Sequence, residues 1–500
     1  MMSAIILTTL NSKYIHCAFG LRYLYANLGD LQQQAQICEF TIHERAMDIV
    51  EKLLQKEPKI IGFSVYIWNV AETGVCINLL KQLAPQIKIV VGGPEVSHYP
   101  DVPTWFDQAD YGISGAGELQ FKTLCQQLLA DEKPLEKIIA GIPLPLEQLQ
   151  MPYQFYNETD IKNRIVYVEA SRGCPFKCEF CLSSLDKTSK SFGIERFLQE
   201  IDKLLKRGAR HFKFIDRTFN LKVKTTVAIL EFFLARMRTD LSIHFEVVPD
   251  RLPEKLRTIL ARFPKHVLQF EIGVQTFDSE IQDLISRKQN NEKTCENLKW
   301  LRENTTAHIH ADLIFGLPAD TLENFAKSFD KLVTLNPQEI QLGILKRLRG
   351  APINRHTQEY KMVYDKNQPY TILSTRDISF QTMQRVTRFA RFWDMIGNSG
   401  RFPHTKLLIF GSSPFANFMK LSDNLYKTEG SSWKISLRRL FKLLYQQLIT
   451  VLQKEENLAF ATLEKDFIHC QEKGTLAALL SLQNKQGKQG NRNKRQKQHY

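Results

Sequence analysis

Two successive runs of short β-branched segments, each alternating with amphipathic ones, constrain this chain most, because such alternation is the pattern of parallel α/β sheets. The first run has strand candidates at 4–10, 36–42, 60–67, 87–91 and 111–114, separated by helical patterns at 19–28, 47–55, 71–83 and 119–129. Five strands with helices between them predict a doubly wound domain whose ligands sit at the carboxyl ends of the strands. Two of its turns carry glycines, Gly92-Gly93-Pro94 and Gly115-Ala116-Gly117. Glycine admits close backbone approach to a ligand, or simply a tight turn. The second run has strand candidates at 165–169, 211–215, 243–248, 268–274, 308–315 and 340–345, with helical patterns such as 194–206, 225–236 and 291–303. Six strand–helix units fall short of an eight-stranded barrel and predict an open one.

A proline-spaced stretch separates the two runs and reads as a linker, placed at 141–160. From about residue 370 helical patterns dominate, and 435–452 is a basic amphipathic helix. Such a helix can lie on a membrane surface, but more often packs its apolar stripe on a neighbouring domain. The expected division is 1–140, the linker, 161–350, a helical region at 360–480 and a tail at 483–500.

Composition enters as a set of exclusions. Over 500 residues, 43% hydrophobic and 24% charged is the balance of a globular protein, not of a fibrous or disordered one. No run of about 18 apolar residues appears, so a membrane span is not expected. The first residues lack the basic region of a signal peptide, so the chain is expected in the cytoplasm, with reduced thiols. The formal charge is +14, but six of the basic residues lie in the low-complexity tail. Nucleic acid is expected as a partner only through that tail.

Nine cysteines are an odd number for a disulfide framework, and three of them are grouped. In GCPFKCEFC (173–181), Cys174, Cys178 and Cys181 follow a C-x3-C-x2-C spacing directly after the first strand of the second run. Three thiolates on one loop hold three corners of an iron–sulfur cluster and leave one iron open. A structural zinc site needs a fourth ligand, and no second paired motif lies nearby. Cys17, Cys38, Cys76, Cys125, Cys295 and Cys470 are scattered singly and read as small buried hydrophobes.

This loop resembles the signature of the radical S-adenosylmethionine (SAM) superfamily, and further segments extend the resemblance in the order of that family's strands. FKFIDRTFN (212–220) places Asp216 where polar groups meet the methionyl end of SAM. HFEVVPDRL (244–252) turns Glu246 toward the site, and FEIGVQTF (270–277) presents Glu271 and Gln275 to the ribose or methionine. DLIFGLPADTLENF (312–325) has Gly316 where the backbone approaches adenine, and Asp320 where a Glu is common. Phe180 supplies an aromatic face beside the last cysteine. The resemblance implies catalytic roles for Glu246 and Gln275, SAM contacts for Phe180, Asp216, Glu271 and Gly316, and a 4Fe–4S cluster on the three cysteines. It also implies an external one-electron reductant of flavodoxin or ferredoxin type, and a 5′-deoxyadenosyl radical that abstracts hydrogen from substrate.

The first run, ahead of such a barrel, resembles the cobalamin-binding subfamily. GFSVYIWN (62–69), VVGGPEVS (90–97) and DYGISGAGELQF (110–121) are similar to its loops, which implies that Ser64, Gly92 and Gly93 line the groove for the corrinoid's nucleotide tail. That family's Asp-x-His-x-x-Gly motif is altered here: His16 is in place, Tyr14 replaces the acid, and the glycine comes one residue late, at Gly20. LGILKRLRGAPI (342–353) and EYKMVYDKNQPYTIL (359–373) resemble a branch with an extra helical C-terminal domain. The implied fold is α/β throughout its first two parts: a flavodoxin-like, cobalamin-binding-type domain and a partial (β/α)6 TIM-type barrel, with helices after them. The implied activity is methyl transfer or related carbon-centred radical chemistry, on a substrate these motifs do not name.

Two other readings compete. An RNA-modifying methylthiotransferase would use a second cluster on three N-terminal cysteines, for which Cys17, Cys38 and Cys76 superficially fit. A non-catalytic corrinoid- or cluster-binding sensor would need no reactive site.

Overall fold

In the computed structural model, residues 3–481 are described. The basic tail expected at 483–500 lies outside them. By chain contacts the protein divides into two units. One runs through residue 328 and takes in Thr334–Gln338 and Leu342–Phe380. The other holds Phe329–Val333, Glu339–Gln341 and the chain from Gln381.

The first unit begins with β1 (Ile5–Asn11), α1 (Phe19–Ala26), β2 (Ala35–Thr41), α2 (Ala46–Leu54), β3 (Ile60–Ser64), α3 (Val70–Leu83), β4 (Lys88–Gly92), β5 (Tyr111–Ser114) and α4 (Glu118–Leu129). Every side chain of β1 is buried, as a central strand covered on both faces requires. One apolar cluster gathers Ile49, Leu53, Ile77 and Leu80 of α2 and α3, and another Leu21, Phe121, Leu124 and Leu128 of α1 and α4. The strand order is β2-β1-β3-β4-β5-β6, with six strands where the pattern suggested five. The sixth, β6 (Ile138–Ala140), pairs in parallel with β5. It is three residues long and half-exposed, so it has no hydrophobic run to announce it. The order reverses between β1 and β3, which opens a crevice at their carboxyl ends.

The stretch read as a linker is not a solvated spacer. Leu149, Met151, Tyr153 and Tyr156 are buried in it, and it contains α5 (Glu158–Asn163), closed by a capping box between Asn157 and Asp160. Arg22 of α1 bridges Glu39 of β2 at 2.8 Å and Asp160 of α5 at 2.7 Å, and Arg164 meets the same two carboxylates at 3.0 Å. All four side chains are buried, so each charge depends on its partners.

The second sheet follows with β7 (Val166–Val168), a small antiparallel ribbon of β8 (Ser171–Arg172) and β9 (Lys190–Ser191), α6 (Ile194–Lys206), β10 (His211–Phe214), α7 (Val223–Leu234), β11 (Ser242–Val247), α8 (Glu254–Leu260) and β12 (Leu268–Gln275). It continues through α9 (Ser279–Leu284), α10 (Asn291–Asn304), β13 (His308–Phe315), α11 (Leu322–Leu335) and β14 (Glu339–Ile344). The order is β14-β13-β12-β11-β10-β7, each strand beside its predecessor. Burial alternates strictly along β12 and β13. Phe212, Phe214, Phe245, Phe270 and Ile309 occupy the buried positions, and Phe212 meets Phe233 of α7 at 5.5 Å. The other face carries Lys213, His244, Glu246, Glu271, Gln275, His310 and Asp312, a polar interior from period-2 alternation.

After β14 the chain returns to the first domain. Arg349 reaches Glu95 at 3.2 Å, Arg347 reaches Asp101 at 2.7 Å, and Tyr370 donates to Glu95 at 2.8 Å. A hairpin, β15 (Val363–Tyr364) with β16 (Ile372–Ser374), belongs to this unit, so the helical region begins near residue 380 and not at 360.

The second unit is built from α12 (Phe380–Trp393), α13 (Thr405–Phe410), α14 (Pro414–Glu429), α15 (Leu437–Thr450), α16 (Glu456–His469) and α17 (Leu476–Ser481). Phe329, Phe389, Trp393 and Phe418 form its aromatic core, with Phe329 and Trp393 edge-on at 4.8 Å. The basic amphipathic helix is α15, capped by Ser436. Its stripe packs inside this unit, Phe441 against Phe467 at 5.2 Å and Phe402 at 5.0 Å. No helix among the described residues is long and apolar enough to cross a membrane.

Candidate cofactor sites

Gly173 leaves β8 with φ +84°, and a Cβ there would lie 2.3 Å from the Thr188 carbonyl, so only glycine makes this turn. The cysteine loop that follows is closed by the β8–β9 ribbon and by Cys174 N–H donating to Asp186 O at 2.9 Å. Cys174, Cys178 and Cys181 line one cavity of about 260 Å3 together with Phe180, Glu246, Glu271, Gln275, Arg287 and Asp312. Burial first, and then the neighbouring thiol charges, raise the Cys174 and Cys178 thiols, so the three sulfurs share one field. Among the described residues no three ligating groups converge on a single-ion point. Three thiols lining one cavity suit a multi-iron cluster, which is ligated by Cys thiolates. Arg287 places Nη1 3.6 Å from Cys178 Sγ, a positive charge beside a ligating thiol.

The cavity wall is highly charged. Burial opposes ionisation of Glu271, yet the His244 hydrogen bond at 3.0 Å and Lys213 at 3.3 Å hold its carboxyl down at about 2. Asp312 moves the other way. Burial first, then the charges of Glu271 and Glu246, push it up to about 8, with His310 Nε2 3.3 Å away. At neutral pH one carboxylate therefore accepts and the other donates, the divergence expected of two acids in different environments. Gln275 ends β12 at φ +69°, on a register shift, and its buried Oε1 has no hydrogen-bond partner. Strained backbone and an orphaned acceptor in one residue mark a place where a ligand completes the bonding.

Two residues expected to touch SAM do not line this cavity. Asp216 is buried behind it, its carboxylate accepting from Ala170 N–H at 3.0 Å and Ser171 Oγ at 2.6 Å. Burial raises it to about 6, and it braces the turn that leads into the cysteine loop. Gly316 turns off β13 at φ +92° and donates its N–H to Asp320 Oδ2 at 3.1 Å. Asp312, four residues earlier, occupies the wall instead.

Sequence reasoning also passed over Glu179, which lies between two of the cysteines. Its buried carboxylate accepts from Ser286 Oγ at 2.6 Å and Arg355 at 2.6 Å and pairs with His356 at 2.9 Å, while its carbonyl accepts from Ile353 N–H. The segment after β14 therefore clamps the cysteine loop. Lys213, His244 and Asp312 were legible in principle, because each occupies an inward position of an alternating strand.

A second cavity, of about 760 Å3, opens at the carboxyl ends of β1, β3, β4 and β5. Ser64, Gly92, Gly93, Gly115 and Gly117 line it, with the stacked pair Tyr66 and Trp68 and, across from them, Glu169 and Arg172. A Cβ on Gly115 would meet nothing within 4 Å, so the glycines leave open space there. His16 lines the same cavity, with Nδ1 2.7 Å from the hydroxyl of Tyr167 on β7. Tyr167 thus stands where the sequence lacks an acid to hold that imidazole. Tyr14 is engaged elsewhere, its carbonyl accepting from Arg164 Nε at 2.6 Å and its ring lying under that guanidinium.

The remaining cysteines offer no second cluster site among the described residues. Cys17, Cys38 and Cys76 are buried, and burial raises all three, Cys17 and Cys76 to about 12. This removes the support for a methylthiotransferase arrangement.

A three-thiol loop at the end of one parallel sheet and a glycine-lined cavity at the switch point of another give this α/β chain two cofactor-sized cavities. Residues 168–332 match the Radical SAM superfamily, residues 5–124 match the B12 binding domain, and residues 358–500 match a protein of unknown function (DUF4080). The chain therefore carries a radical SAM domain over residues 168–332, with a B12-binding domain ahead of it over residues 5–124. Its cofactors are a 4Fe–4S cluster, SAM and cobalamin.

It is 24% identical over 343 residues to the uncharacterized methyltransferase PH0819 of Pyrococcus horikoshii, covering 62% of this chain and 73% of that one. It is 23% identical over 336 residues to the cobalamin-dependent radical SAM methyltransferase TokK of Streptomyces tokunonensis, covering 60% of this chain and 48% of the relative. The chain thus spans about half the length of that relative. The solved structure of the cobalamin-dependent SAM radical enzyme OxsB with aqua-cobalamin shares the fold at a TM-score of 0.61 and 15% identity, over 96% of this chain and 80% of that one.

Proposed function

We propose that this protein is a cobalamin-dependent radical SAM methyltransferase. One observation carries the reading: the cysteine cavity and the glycine-lined cavity meet at a shared wall, and Arg217 lines both. A substrate placed there lies within reach of both cofactors. When bound, the cluster supplies the electron for cleavage of SAM and the corrinoid a carrier for a methyl group.

The chain's residues bind and orient. Cys174, Cys178 and Cys181 hold the cluster, and Arg287 offsets the charge beside Cys178. Phe180, Glu246, Glu271 and Gln275 face SAM. Glu271 stays ionised as an acceptor, Asp312 stays protonated as a donor, and the Gln275 amide gains the partner it lacks. Asp216 and Gly316 position this wall from behind, Asp216 through the Ser171 turn and Gly316 through the exit from β13. Ser64, Gly92 and Gly93 receive the corrinoid's nucleotide tail, and His16, held by Tyr167, faces the same cavity. An external one-electron carrier of flavodoxin or ferredoxin type supplies the electron. None of the nine cysteines is paired in a disulfide, which fits a reducing, cytoplasmic setting.

Anaerobic reconstitution with iron, sulfide and corrinoid tests the reading. One 4Fe–4S cluster and one corrinoid per chain are expected, with SAM cleaved to 5′-deoxyadenosine. Failure to take up corrinoid, or a reduced cluster whose paramagnetic resonance spectrum SAM does not alter, would overturn it.

A further inference from the structure

We propose that Arg217 binds an anionic oxygen group of the substrate, a carboxylate or phosphate, at the junction of the two cavities. This rests on the methyltransferase reading, in which the junction receives the substrate. Among the described residues lining the two cavities, Arg217 alone lines both. Its backbone is set by the neighbouring Asp216, whose carboxylate is tied to Ala170 and Ser171. Its guanidinium is held by Glu246, both of whose oxygens lie 2.7 Å from Nη1.

That pairing uses one nitrogen. Nε and Nη2, the adjacent donors that grip an oxyanion with two parallel bonds, make no hydrogen bond among the described residues, and about half of the side chain (52%) is open to the cavities. The other arginines of the two walls lack such a free fork. Arg172 gives Nε to Glu169 and Nη1 to Glu118, and all three nitrogens of Arg287 are bonded, to Gly273 O, Gln289 and Cys178. The junction therefore presents a fixed, planar, two-pronged donor.

Glu246 sets the sign of a second expectation. It orients the fork but places a negative charge beside the incoming anion, so neutralising it should strengthen anion binding. Methionyl SAM also carries a carboxylate, so the test must separate the two sources.

The test is calorimetric titration of the full-length chain, loaded with cluster and corrinoid, by inorganic phosphate, by acetate and, separately, by SAM. Arg217→Met should weaken the tighter-binding anion at least tenfold and Arg217→Lys severalfold, because a lysine keeps the charge and loses the fork. Glu246→Gln should tighten it severalfold. SAM affinity should stay within twofold in Arg217→Met. Should that variant fold poorly with Glu246 unpaired, the double variant Arg217→Met/Glu246→Gln removes both charges together and should also lose the anion.

Phosphate binding tighter than acetate assigns a phosphorylated substrate, and the reverse assigns a carboxylic acid. Equal anion binding in wild type and Arg217→Met, or no binding in the wild type, overturns the inference. So does a parallel fall in SAM affinity, which would assign the fork to SAM's own carboxylate. A chain that takes up no corrinoid yet loses anion binding on Arg217→Met breaks the methyl-transfer reading and leaves the anion site standing. A fully loaded chain indifferent to Arg217→Met does the opposite.

Discussion

The two cavities are built by opposite means. The cysteine cavity is defined by what projects into it: thiols of one loop, guanidinium groups of two others, and carboxylates and an amide at alternate positions of parallel strands. The glycine-lined cavity owes its room to a missing side chain, since a Cβ on Gly115 after β5 would meet nothing within 4 Å, while Gly93 after β4 is required by its backbone, where a Cβ would lie 2.5 Å from the Val65 carbonyl. The first should fail when a single functional atom is lost, and the second when an atom is added.

The largest effect expected on this comparison is from Cys178→Ala. It should abolish cluster absorbance and SAM cleavage while leaving corrinoid uptake intact. If the two cavities form independently, circular dichroism will be unchanged. Gly92→Leu is the complementary experiment. It should lower corrinoid affinity by at least about tenfold, roughly 1.4 kcal/mol, and leave cluster content as in the wild type. Equal corrinoid binding in this variant would mean that the glycines serve only the turn.

The supports of the two cavities differ as well. Arg22→Met leaves Glu39 and Asp160 short of a buried partner and should cost on the order of 3 kcal/mol in denaturant unfolding. Glu179→Gln should cost less, about 2 kcal/mol, because Arg355 is exposed and only His356 is buried with the carboxylate. Its distinguishing readout is a cluster that oxygen bleaches faster than in the wild type, since the clamp acts on the loop between the cysteines.

The smallest expected effect is a pH dependence. The Asp312 carboxyl is raised to about 8, so its contribution to stability is fully present below the ordinary carboxylate range and is lost as pH rises toward 8. Asp312→Asn should gain in melting temperature relative to wild type as pH rises from 5 to 8, because the wild type loses stability across that interval at this position and the variant does not. A difference that is the same at both values would place Asp312 outside the buried charge balance. Asp320, also raised to about 8, titrates in the same direction, so the wild-type slope does not vanish in the variant.

Much of the fold is legible in the amino-acid sequence. Except for β3, which ends at Ser64 where the run continued to 67, the expected strands of both sheets fall within one or two residues of the runs, because buried parallel strands write themselves as β-branched and aromatic segments. β6 escaped because a half-exposed three-residue edge strand needs no such run. The stretch 141–160 was misread because prolines suggest a spacer, whereas Tyr153 and Tyr156 bury their rings and donate to backbone carbonyls of the next strand region. Asp216 and Gly316 were assigned by their place in a motif. Motif position says which strand end a residue occupies, not whether the Asp216 carboxylate or the Gly316 backbone faces the cavity or turns back to a neighbouring group, as both do here.

The order of elements, the grouping of three cysteines on one loop and the glycines after β4 and β5 follow from the amino-acid sequence alone. Each is a local property, fixed by periodicity, spacing or the absence of a Cβ. Only the tertiary structure decided that Tyr167 holds His16, that Glu179 is clamped by Arg355 and His356 from 176 and 177 residues downstream, and that Arg217 lines two cavities with its Nε and Nη2 unbonded among the described residues. Those are pairings across the chain between polar groups, and charge and hydrogen bonding leave no periodic trace in sequence.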